Sequence, residues 1–128
     1  MTITKYVASW LKGAEDDLKS AETLLKASLF HQACFYSHQC AEKCLKGFLA
    51  FNEKHVRKVH DLPELIGLCA KVDETFVSLL PDASYLDMYY IKSRYFDDYP
   101  VFTGTDAQRA HSAASRVKSF VMPKIQKG

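Results

Sequence analysis

Ser37-His38-Gln39-Cys40-Ala41-Glu42-Lys43-Cys44-Leu45-Lys46-Gly47-Phe48 is the stretch that decides the fold class. Ala33, Ser37, Cys40 or Ala41, Cys44 and Phe48 recur at spacings of three and four, which is one face of a helix and not the alternation of a strand. The predicted helix runs from about His31 to Glu53. Ala41, Cys44 and Gly47 are small, and Gly47 costs a helix about 1 kcal/mol against Ala. Keeping it there predicts a neighbouring helix that approaches closely. Another set of side chains, His38, Glu42 and Lys46, also follows at i, i+4 spacing, with Gln39 and Lys43 beside it.

The pattern continues on both sides of this helix. Upstream, Thr4 can cap a first helix that reaches about Ala27 through Val7, Leu11, Ala14, Leu18, Ala21 and Leu25. Its outward residues predict one-turn pairs of Asp16 with Lys19 and of Glu22 with Lys26. Downstream, a polar and basic loop from Asn52 to His60 precedes Asp61, a good N-cap with Pro63 and Glu64 in the first turn. A third helix is expected through Leu65, Leu68, Cys69 and Val72, continuing, straight or kinked, through Phe76, Val77 and Leu80 and stopping before Pro81. Asp82 or Ser84 begins a fourth, which carries Leu86, Tyr89, Tyr90 and Ile91. Ser93 to Pro100 leaves the periodicity and is read as a loop. Thr105 or Asp106 caps the last helix, which Pro123 ends or bends. Short connections between long helices predict an all-α, antiparallel up-down bundle of four to five helices, with residues 1–128 forming a single domain.

The 128 residues, 48% hydrophobic and 25% charged, suit one globular domain. A net charge of +2 is too small to indicate DNA binding by bulk charge alone. No signal peptide or membrane-length apolar run is evident, so a soluble cytoplasmic protein is expected. Cys34, Cys40, Cys44 and Cys69 form no CxxC pair and read as reduced core thiols. Cys34, His38, Cys40 and Cys44 sit on different helix faces and cannot converge on zinc. No metal and no cofactor are expected.

The polar residues admit more than one reading. His38, Gln39, Glu42, Lys43 and Lys46 form either a solvated face with internal pairs or a phosphate or nucleotide holder in which the lysines neutralise charge. His60 and Asp61 serve as helix cap and internal network, with His60 bonding Glu42 or Asp97, or else as an anion site at a helix N-terminus. Arg94, Tyr95 and Asp97 form either a clamp onto the second helix or a phosphate contact with a stacking ring. The aromatics from Tyr85 to Phe102 suggest core together with a homodimer interface.

In order along the chain stand Ala14-x-x-Asp17-Leu18-x-x-Ala21-x-x-Leu24-Leu25, then Gln39-x-Ala41-Glu42-Lys43-x-Leu45-Lys46, then Val59-His60-Asp61-Leu62, then Ser93-Arg94-Tyr95-x-Asp97. This ordered set, over about Trp10 to Val121, resembles the HEPN (higher eukaryotes and prokaryotes nucleotide-binding) family. The resemblance implies a four- or five-helix bundle, a homodimer, a nucleotide or RNA ligand, and a minimal nucleotidyltransferase partner in a toxin–antitoxin-like system. Some members of that family are metal-independent ribonucleases with an R-x(4-6)-H motif. Here Arg94 is followed at those distances by Tyr99, Pro100 and Val101, while Arg57–His60 and Arg109–His111 are too close. The expectation is therefore a binding module rather than an enzyme. The alternatives are a ribonuclease with a degenerate motif, using Arg94 with His60 or His38, and a purely structural dimerisation module.

Overall fold

The structure, a computed structural model, describes residues 2–56, 58–95 and 101–126, with only the backbone described at 91–95 and 126. Helices α1 (Lys5–Lys26), α2 (Phe30–Phe51), α3 (Leu62–Ala70), α4 (Leu80–Tyr95) and α5 (Gly104–Gln126) follow in order, with a 3-10 turn at Glu74–Leu79 before α4. There is no strand among the described residues. The expected all-α bundle is observed.

Helix α2 is the centre of the bundle. It packs against α1, α3, α4 and α5, and 14 of its 22 residues are buried. The α1–α2 hairpin is antiparallel, since Asp17 meets Lys43 while Trp10 and Leu11 meet Gly47. The turn between them closes when Leu29 N–H donates to the Leu24 carbonyl (2.9 Å), with Ser28 in the left-handed region at φ 62°. The same closure ends α2, where Lys54 N–H donates to the Leu49 carbonyl (2.9 Å) and Glu53 has φ 57°. Two side chains thus take a conformation that favours glycine, because the carbonyls of the last helical turn need donors.

The sequence signals at helix starts hold in part. Thr4 accepts from Val7 N–H (3.1 Å) and Asp61 from Glu64 N–H (2.9 Å), as expected of caps. Helix α5 begins two to three residues earlier than Thr105 or Asp106 would place it. Thr103 is the cap: its hydroxyl accepts from Asp106 N–H (3.1 Å) and Asp106 accepts from Thr103 N–H (2.9 Å). This reciprocal pair satisfies two donors at once. Pro81 lies in the first turn of α4 rather than beyond a third helix, since a missing N–H costs nothing there. The third helix stops at Ala70, and Asp73 caps the separate 3-10 turn. Helix α4 also continues through Ser93 to Tyr95, where a loop was expected. Pro123 lies inside α5 and does not end it. On α1, Glu22 pairs with Lys26 (3.3 Å), but Asp16 pairs with Lys12 (2.9 Å) and not Lys19.

The four cysteines are buried and unbridged. Burial pushes the Cys34 and Cys69 thiols up to about 12, which suppresses the thiolate. A Cβ added at Gly47 would meet Leu11 Cδ2 at 3.1 Å and Trp10 Cβ at 3.3 Å, so the expected close approach is made by α1. Gly47→Val should therefore cost about 1–3 kcal/mol by overpacking, measured by urea denaturation. A midpoint equal to that of the parent would mean that the hairpin is not tight here.

Candidate functional site

The i, i+4 ladder on α2 faces inward. His38 is 0% exposed, Glu42 5% and Lys46 4%. A helix covered by four neighbours has little solvated face, so polar residues outside its apolar stripe are buried as well. Such groups are tolerated only when paired.

The pairs are specific. His38 Nε2 lies 3.2 Å from Asp87 Oδ1 on α4, and Asp87, itself 7% exposed, also accepts from Leu62 N–H at the start of α3 (3.2 Å). One carboxylate thereby ties α2, α3 and α4 together. The His38 ring stacks on Tyr90 at 4.1 Å between centroids, with an interplanar angle of 13°. Its Nδ1 lies 3.3 Å from Gln39 Oε1 and 3.9 Å from Glu42 Oε1.

Glu42 accepts from two sides. Lys46 Nζ donates to Oε2 at 2.9 Å, and His60 Nδ1 reaches both carboxylate oxygens at 3.0 and 3.1 Å. The Lys46 ammonium also lies 5.7 Å from the Trp10 ring, close enough for a cation–π contribution. The His60 side chain is 56% exposed, and its Nε2 has no hydrogen-bond partner among the described residues. A buried carboxylate thus fixes one ring nitrogen of an imidazole whose other nitrogen is unpartnered among the described residues. This is the geometry in which histidine transfers protons or binds anions.

Of the residues singled out from the sequence, His38, Gln39, Glu42, Lys46 and His60 come together. Lys43 does not join them; it donates to Asp17 on α1 at 2.6 Å, holding the hairpin closed. Asp61 acts as the α3 cap beside His60. Arg94 and Tyr95 belong to the last turn of α4, and their side chains lie outside the described residues, as does Asp97 entirely. The expected clamp of Arg94 onto the second helix, and its alternative as a phosphate contact, thus fall outside what is described. The aromatics Tyr89, Tyr90 and Phe102 are buried within the chain. Among the described residues no three His, Cys, Asp or Glu side chains are placed to hold a metal ion.

Asp87 and Tyr90 were missed as site residues. The signal for Asp87 was a lone carboxylate within Tyr85-Leu86-Asp87-Met88-Tyr89-Tyr90, where an unpaired charge would be costly.

The HEPN domain family model matches residues 7–125. The chain belongs to the HEPN family. The crystal structure of ST0689, an archaeal HEPN homologue, superposes with a TM-score of 0.77 at 31% identity, covering 94% of this chain and 98% of that one. That of TT1696 from Thermus thermophilus gives 0.79 at 28% identity, covering 94% and 99%. Over 103 residues this HEPN domain is also 28% identical to the Methanocaldococcus jannaschii protein named "Putative toxin MJ1304". That match covers 74% of this chain and 66% of the relative, just under two thirds of its length.

The buried pair gives a direct test of what the cluster does for stability. Glu42→Ala leaves Lys46 buried without its carboxylate and should cost about 3–5 kcal/mol. Glu42→Leu combined with Lys46→Met removes both charges and should cost less than the sum of the single substitutions. Strict additivity in urea denaturation would show that the two charges do not depend on one another.

Proposed function

We propose that this HEPN domain binds RNA or a nucleotide as one half of a toxin–antitoxin pair, with a minimal nucleotidyltransferase as its partner, and that His60 meets the phosphate. The observation that carries this is the exposed His60 ring anchored by buried Glu42. Its neighbour Asp61 caps α3, so the ring stands beside the start of that helix, whose Leu62 and Glu64 N–H groups are taken by Asp87 and Asp61, which leaves His60 itself as the phosphate contact. Lys43 and Lys46 are already engaged by Asp17 and Glu42, so phosphate recognition falls to His60 rather than to the α2 lysines. The similarity to a protein named as a toxin supports the pairing. The domain works in the cytoplasm as a homodimer, for which exposed Val77, Leu80 and Met88 supply apolar surface. No helix among the described residues is long and apolar enough to cross a membrane.

The same geometry favours a second reading, ribonuclease activity without the R-x(4-6)-H motif. In that reaction the base removes the 2′-hydroxyl proton, the 2′-oxygen bonds to phosphorus, and the P–O5′ bond breaks as the 5′-oxygen takes a proton from solvent. A carboxylate-oriented imidazole is the side chain for the first of these transfers.

His60→Ala should weaken binding of a short RNA by about tenfold at low salt, as expected for loss of one charge-assisted contact, with the circular dichroism spectrum unchanged. Equal binding by parent and variant would refute the His60 assignment. If the second reading holds, the parent cleaves RNA in EDTA and His60→Ala does not.

A further inference from the structure

A groove of about 480 Å³ runs between the start of α4 and the middle of α5. We propose that it is a second ligand site, which binds the phosphate of a nucleotide. It shares no residue with the His60 cluster and does not rest on the function assigned there.

Helix α5 provides the donors. Gln108, Arg109, Ser112 and Arg116 line the groove together, because spacings of three and four place them on one helix face. Over Gly104–Gln126 the helix carries Arg109, Arg116, Lys118 and Lys124 against the single acid Asp106. Arg116 is held in position: its Nε and Nη2 donate to both oxygens of Asp82 on α4 at 2.8–3.2 Å. This fork fixes the guanidinium plane and leaves Nη1 unused among the described residues. Arg109, Gln108 and Ser112 likewise have no hydrogen-bond or ion-pair partner among the described residues. Asp82 balances Arg116, so among the described residues Arg109 leaves one positive charge uncompensated in the groove.

The chemistry of the ligand follows from these donors. One carboxylate, Asp82, already occupies the Nε–Nη2 edge of Arg116. A second guanidinium, a hydroxyl, an amide and the remaining Nη1 exceed what another carboxylate could use, and they suit the several oxygens of a phosphate. Tyr85 supplies the planar wall. Its ring is positioned at 5.0 Å from Tyr89, and its hydroxyl lies 3.4 Å from both the Tyr89 hydroxyl and the Asp106 carbonyl. A base can stack on a ring held this way. The volume lies within the range of small-ligand sites.

The test is an NMR titration of the full chain with ADP, with a 5′-phosphorylated trinucleotide and with pyrophosphate, paired with calorimetry on the parent, Arg109→Ala and Arg109→Lys. ADP or the trinucleotide should shift the amides of Tyr85, Gln108, Arg109 and Ser112, and the tighter of the two identifies a free nucleotide or an RNA end as the source. Arg109→Ala should weaken that binding by about tenfold or more, and Arg109→Lys should weaken it less. Arg109 is exposed, so folding should survive both substitutions. Pyrophosphate should bind more weakly than ADP; equal affinity would overturn the stacking contact with Tyr85. Shifts confined to residues 60–64 would overturn the groove site while leaving the His60 assignment intact. No shift at millimolar ligand, or equal binding by Arg109→Ala, would also overturn it.

Discussion

Glu42 is the group that the rest of this molecule accommodates. The residue is 5% exposed in the central helix, and its carboxylate accepts from Lys46 one turn along α2 and from His60 ahead of α3. A buried carboxylate has to be met by donors or not be charged. That requirement fixes the Lys46 side chain within the bundle and draws the α2–α3 loop back onto α2. Asp87 does the same from α4, since it meets both His38 and the first backbone N–H of α3. The short helix α3 is thus positioned by two carboxylates as well as by the apolar contacts of Leu62, Leu65, Ile66 and Cys69.

The polar cluster depends in turn on tight apolar packing around α2. Ala41, Cys44 and Gly47 are buried residues with little side-chain volume, and they let α1 and α5 approach the helix. With larger residues there, α2 could not have neighbours on so many sides, and the His38–Glu42–Lys46 ladder would face water. There the Glu42–Lys46 pair would have the small value of an exposed i, i+4 pair. Burial is what turns an ordinary spacing into a rigid anchor for His60.

Much of the fold was legible because helical periodicity and caps are local signals. Thr4 and Asp61 cap where their side chains suggested, and Gly47 marks a close helix contact. The errors have local causes too. Thr105 and Asp106 looked like caps because either can accept an N-terminal N–H, but Thr103 and Asp106 do so reciprocally. Pro81 looked like a stop and is a start, since proline suits both positions. The site was only partly legible. Periodicity could place His38, Glu42 and Lys46 on one face but could not say that this face is covered, which depends on α4 folding over it. Lys43 and Lys46 looked equivalent in sequence, yet one closes the hairpin through Asp17 and the other is enclosed with Glu42. Asp87 became meaningful only when α4 brought it to His38.

A buried carboxylate, held by a lysine, presents an imidazole at the bundle surface in this HEPN-family protein. In this arrangement we infer that the Glu42 carboxylate holds the proton of the neutral His60 ring on Nδ1, leaving the lone pair on Nε2. Long-range ¹⁵N–¹H correlation of the histidine rings in the intact chain, at a pH where the rings are neutral, reads this directly, with exposed His55 as an internal reference. His60 should carry its proton on Nδ1, with a different pattern for His55. A His60 pattern indistinguishable from that of His55, with the proton on Nε2, would contradict it.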